Sequence, residues 1–116
     1  MARAPTTSDI FNAIAEPQRR QIIELLARRR SLAVGTIVLL LGLRQSAVSK
    51  HLGVLRAVGV VSATRKGKSR VYDLNRDPLK PVQHWLKTLE RHWEHQLDRI
   101  RARAERRAAG STNRPD

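Results

Sequence analysis

The stretch LRQSAVSKHLGVLRAVGVV, from Leu43 to Val61, holds the side chains best placed to do chemistry. Val48, Leu52, Leu55 and Val58 recur at helical spacing and form its apolar skeleton. Between them lie Arg44, Gln45, Ser46, Ser49, Lys50 and Arg56, with no acid among them. These are hydrogen-bonding and cationic groups rather than nucleophiles or proton-transfer pairs. Gln can bond an adenine edge in bidentate fashion, Arg a guanine edge, and Ser either a base or a phosphate. The pattern assigns base reading to Arg44, Gln45, Ser46 and Ser49. It assigns backbone neutralisation to Lys50 and Arg56. Gly53 adds no bulk on the outer face, which lets a nucleic-acid backbone come close. His51 lies on the inner side of the wheel, as a packed residue bonding the backbone or as a further DNA contact.

Charge supports the same partner. The chain carries 23 Lys and Arg against 10 Asp and Glu, a formal net charge of +13. From Leu25 to Tyr72 there is no acid, while Arg28, Arg29, Arg30 and the cations named above all fall there. A solubility surface does not need one sign; an uncompensated positive field suits a polyanion. The length of 116 residues fits one domain, and 41% apolar residues support a core built mainly from Leu, Val, Ile and Ala. With no Cys, disulfides and thiolate metal sites are excluded. The opening MARAPTTSDI lacks the apolar run of a secretory signal, and VGTIVLLLGL is too short to cross a bilayer. These features predict a cytoplasmic protein with no membrane partner. There is no Gly-rich phosphate loop and no His–carboxylate cluster suited to a cleft, so an enzyme is not expected, nor a cofactor.

The elements that would position the opening stretch follow from periodicity and punctuation. Residues 1–7 read as disordered. Thr7 or Ser8 caps a first helix, DIFNAIAE, which stops before Pro17. Pro17 opens a second helix, PQRRQIIELLARR, buried through Ile22, Ile23, Leu25 and Leu26. Its Arg19 and Arg20 could touch phosphate or pair with Glu16 or Glu24. A short helix, AVGTIVLLL, turns at Gly42, and the opening helix runs from about Arg44 to Ala57 with Gly59 as its C-cap. VVSATRKGKSRVYDL then reads as a β-hairpin whose tip carries Arg65, Lys66, Lys68 and Arg70.

Two short helices joined at LGL, followed by a basic hairpin, describe a winged helix-turn-helix over residues 8–77, mainly α with a small β-hairpin. The wing cations would lie along phosphates or reach a minor groove. Residues 78–108 read as one long last helix, with Val82, Trp85, Leu86, Leu89, Trp93, Leu97 and Ile100 on one stripe. At roughly 45 Å it is longer than so small a domain can cover. Its economical partner is a second copy of the chain. Residues 109–116 read as a disordered tail.

AEPQRRQIIELL, AVSKHLGVLRAVGVV, RKGKSRVYDL and the Trp-containing last helix together resemble the ArsR/SmtB winged helix-turn-helix repressors of bacteria, over roughly residues 9 to 105. The resemblance implies a homodimer on an imperfect palindrome near a promoter, usually as a repressor. It also implies dimerisation through the first and last helices, which adds Phe11 to the interface. The sequence departs from the family at Thr36, Leu39 and Leu40, where polar or charged residues are usual. Leu39 and Leu40 are therefore either exposed or packed in an unusual way. Arg44 and Ser46 replace the commoner Ser and Pro, so no target sequence carries over and no inducer is readable.

Many relatives release DNA on binding metal. The thiolate box is impossible here without Cys. His84, His95 and Asp98 have the spacing of three ligands of a carboxylate–histidine site. Yet the family register after the YxL strand falls on Asp77, Leu79, Glu90 and Trp93, and two of these cannot bind metal. His92 and His95, with Asp98 or Glu94, are a further pair on that helix. The reading is therefore no metal site, with a zinc- or nickel-responsive repressor using these histidines as the alternative. Two other classes compete. A non-specific architectural DNA-binding protein would share the charge and the dimer. A protein adaptor is opposed by the wing charge and favoured slightly by Leu39 and Leu40.

Overall fold

The computed structural model describes residues 6–112. It contains α1 (Thr7–Ala15), α2 (Pro17–Arg29), β1 (Leu32–Ala33), α3 (Val34–Leu41), α4 (Gln45–Ala57), β2 (Val61–Lys66), β3 (Ser69–Leu74), a 3₁₀ turn (Asp77–Leu79) and α5 (Lys80–Thr112). By its internal packing the chain divides after Val82 into two units.

Helix α1 starts in the segment expected to be disordered. Thr6, not Thr7 or Ser8, is its cap: the Asp9 amide donates to Thr6 Oγ1 at 3.2 Å and the Thr6 amide to Asp9 Oδ2 at 2.8 Å. This reciprocal box satisfies two amides that a helix start otherwise leaves open. The rest of the expected disordered segment, residues 1–5, lies outside the described residues. The far end of α1 is closed from α2. Arg19 Nε donates to the Ala13 carbonyl at 2.6 Å, and Arg20 donates to those of Ile14 and Ala15 at 2.8 and 2.9 Å. The two arginines therefore give these donors to α1 carbonyls, and among the described residues neither forms an ion pair with Glu16 or Glu24. They satisfy the carbonyls that a helix C-terminus leaves without partners, at its negative end.

Helix α2 buries Ile22, Leu25 and Leu26, while Ile23 is half-buried. It ends at Arg30, which has φ 63° and ψ −147°, a region that suits glycine. A two-residue strand that the sequence reading did not foresee follows. Leu32 and Ala33 pair antiparallel with Tyr72 and Val71, giving the strand order β1-β3-β2. Two residues are too few to show an alternating pattern.

Helix α3 stops at Gly42, which is left-handed at φ 64° and donates to the Val38 carbonyl at 2.9 Å. Helix α4 ends as a Schellman turn. The Gly59 amide reaches the Arg56 carbonyl and the Val60 amide reaches that of Leu55, both at 3.0 Å, with Gly59 at φ 81°. That turn sends the chain directly into β2. The hairpin closes at Gly67–Lys68 between the facing residues Lys66 and Ser69. Gly67 has φ 63° and Lys68 is not left-handed, the pattern of a type II′ turn, whose twist matches the two strands.

The core is apolar throughout. Ile10, Ile22, Leu26, Ile37, Val48, Leu52, Leu55, Val60 and Val61 are buried, and no polar or charged residue joins them among the described residues. Burying one such side chain contributes roughly 1.5–3 kcal/mol. The core thus fixes α4 through one face and leaves its other face free. Helix α5 starts at Lys80 rather than Pro78, in the last residues of the first unit, and continues through Thr112. It runs past the expected boundary at 108 through Ala109, Gly110, Ser111 and Thr112; the strong helix formers of RARAERRAA end at Ala109, and the last three residues carry no helix signal of their own. The remainder of the expected tail, residues 113–116, lies outside the described residues.

Candidate nucleic-acid interface

The surface is built on α4. Val48, Leu52 and Leu55 turn into the core with 0, 1 and 0% exposure. The opposite side presents Gln45, Ser46, Ser49, Lys50, Gly53 and Arg56, all exposed. Gly53 lies amid this face, one helical turn from Ser49 and two from Gln45. A Cβ built there meets nothing within 4 Å. Arg44 is exposed at the N-cap position, and no side chain caps the helix. The first-turn amides are thus left to solvent or to an anion. The structure brings the five expected α4 contacts and Arg44 to one exposed face.

The wing adds a second group. Arg65, Lys66, Lys68 and Arg70 are all exposed. In the hairpin register Arg65 faces Arg70, on the same side as the pairs Val61–Leu74 and Ala63–Tyr72. Their Cβ atoms are therefore about 5 Å apart, with like charges in direct opposition, which destabilises a hairpin. Lys66 projects from the other side and Lys68 from the turn, so cations surround the tip.

Several expected residues take other places. His51 is half-buried and does not bond the backbone. Its Nε2 lies 2.9 Å from Gln18 Oε1, on the first turn of α2. Gln18 carried no signal in the sequence, because its partner is 33 positions away. Leu39 and Leu40 are exposed, at 83 and 47%. On α5, Trp85, Leu86, Trp93, Leu97 and Ile100 are between 43 and 60% exposed, and Leu89 is half-buried. Val82 packs partly against the core of the first unit, and Phe11 is half-buried. His84, His92, His95 and Asp98 are exposed on α5. Among the described residues, no three His, Cys, Asp or Glu side chains come together as a metal-binding group.

A short helix-turn-helix, with a cationic hairpin following it, defines a winged helix-turn-helix protein. Comparison with known proteins agrees. Residues 16–63 match the family model described as "Bacterial regulatory protein, arsR family". The HTH-type transcriptional regulator YuzN of Bacillus subtilis is 36% identical, over 66% of this chain and 91% of YuzN. The transcriptional repressor SdpR of the same organism is 32% identical, over 68% of this chain and 87% of SdpR. The crystal structure of the transcriptional repressor PagR of Bacillus anthracis aligns with a TM-score of 0.59 at 29% identity, covering 68% of this chain and 90% of PagR. The chain belongs to the arsR family of bacterial regulatory proteins. It is a DNA-binding transcriptional regulator, and no helix of its described residues is long and apolar enough to cross a membrane.

Proposed function

We propose that this regulator is a repressor that binds an imperfectly palindromic operator as a homodimer. Arg44, Gln45, Ser46 and Ser49 read base edges in the major groove. Lys50 and Arg56 neutralise the flanking phosphates, and Arg65, Lys66, Lys68 and Arg70 carry the wing onto the backbone or into the minor groove. The observation that carries this reading is the exposed, acid-free face of α4, whose N-terminal turn holds short hydrogen-bonding side chains rather than cations alone. Pairing of two chains is supported by the half-exposed stripe Trp85, Leu86, Trp93, Leu97 and Ile100, which one chain leaves in water. Leu89 lies on that stripe, and Phe11 and Val82 of the first unit are further interface residues of the proposed pair. Repression is supported by the two named repressors among the relatives.

The test is fluorescence anisotropy at physiological salt. One labelled duplex is the sequence the protein enriches from a randomised pool; the other is its scrambled counterpart. A gap of about 10³ or more in Kd is expected of a sequence reader. Equal binding to both, lost together as salt rises, would mark a protein that holds phosphates alone.

A further inference from the structure

Apart from His51, the inner face of α4 is apolar, and apolar attraction is not directional. Val48, Leu52 and Leu55 hold the helix down by close packing, and a directional contact sharpens its rotation and its slide beyond what packing sets. Base reading needs both. A bidentate bond from Gln45 demands a donor and an acceptor in register with one base edge. A directional contact elsewhere on α4 would tighten that register.

One side-chain hydrogen bond does so. His51 Nε2 meets Gln18 Oε1 at 2.9 Å, in a half-buried site between α4 and α2. Gln18 Oε1 can only accept, so His51 Nε2 donates in this bond. Nδ1 is buried and has no hydrogen-bond partner. The ring is thus anchored at one nitrogen only, and nothing on its other side competes for it. The anchor itself is rigid. Gln18 lies in the first turn of α2, next to Arg19 and Arg20, which are bonded to the last carbonyls of α1. Three consecutive residues therefore tie the first turn of α2 to both α1 and α4.

We infer that Gln18 and His51 are positioning residues for sequence recognition: their bond sets the rotational register of α4, and with it the aim of Gln45 and Ser49. This rests on the base-reading assignment above. Both residues are half-buried and uncharged partners of one bond outside the exposed cationic face, so their loss should change discrimination while leaving phosphate attraction intact.

The test compares wild type with Gln18→Leu, His51→Leu, the double variant and His51→Gln, which restores a side chain able to bond Gln18. The probes are the duplex that the wild type enriches from a randomised pool and its scrambled counterpart. Each Leu variant is expected to narrow the ratio of the two affinities by about ten-fold, the value of one well-aimed base contact. Scrambled-duplex affinity and salt slope should stay unchanged. The double variant should lose no more than either single one, since both remove the same bond. His51→Gln should recover most of the ratio. A merely structural role would lower the melting temperature and scale both affinities together. A folded Gln18→Leu protein that keeps the wild-type ratio would overturn the inference while sparing the base-reading assignment. A wild type that enriches no sequence would overturn both.

Discussion

Gly53→Ala separates what α4 needs as a helix from what it needs as a surface. Glycine inside a helix costs about 1 kcal/mol relative to alanine, because it has more backbone freedom to lose on folding. Nothing in the fold requires it at this position. Gly53 does not have a left-handed φ, and an added Cβ meets no atom within 4 Å. Alanine should therefore raise stability by about 1 kcal/mol, and the melting temperature by roughly 4 °C for a domain of this size. Binding should move the other way. Gly53 sits in the exposed face shared by Ser49 and Gln45, where the groove backbone would come closest. A methyl group there would lift α4 by a few tenths of an ångström, enough to spoil one bidentate base contact worth about 1–3 kcal/mol. Operator affinity should fall about ten-fold or more. The assays are a thermal melt and anisotropy against the selected duplex. A variant that melts higher and binds as tightly as wild type would refute the argument. It would mean that DNA does not approach this face of α4.

Other substitutions probe the remaining parts of the surface. Gln45→Ala should relax preference at one position in each half-site, whereas Lys68→Ala should weaken all sequences alike and flatten the salt slope by about one unit per lost phosphate contact. Parallel titrations on selected and scrambled duplexes would show the difference, and identical behaviour of the two variants would contradict the division of labour. Trp93→Glu puts a charge on the half-exposed α5 stripe; sedimentation should show monomers at concentrations where the wild type is paired. Arg30→Gly replaces a side chain held at φ 63° and ψ −147° by the residue that suits that conformation, and should raise stability by about 1 kcal/mol in a denaturant titration.

Most of this architecture is legible in the sequence because its signals are local. Pro17 marks the start of α2, Gly42 and Gly59 close α3 and α4, and the apolar spacing of Val48, Leu52 and Leu55 states which side of α4 is buried. The exposed faces follow from the same arithmetic, so the expected DNA contacts fall on one surface. What stayed hidden depends on tertiary partners. The Leu32–Ala33 strand exists only because β3 offers it an edge. The roles of Arg19 and Arg20 required knowing where α1 ends relative to α2. The Gln18–His51 bond joins residues that no local pattern relates. The extension of α5 to Thr112 was missed for another reason. Gly110, Ser111 and Thr112 are weak helix formers, so nothing local foretold that the helix would continue through them.

Several local features that cost stability, though not the strained Arg30, lie on the surfaces assigned to partners. Helix α4 starts without a side-chain cap, has a glycine in its middle, and displays its cations without an acid to offset them. The wing sets Arg65 against Arg70. Helix α5 leaves two tryptophans half in water. Each conflict disappears with the proposed partner in place. Phosphates would take the open amides of α4 and separate the two wing arginines electrostatically, and a second α5 would cover the tryptophans. Arginine at the wing tip and an uncapped α4 are poor choices for a free protein and good ones for a protein that spends its working life on DNA. That asymmetry is a physical reason, independent of any relative, to place DNA against this face of the molecule.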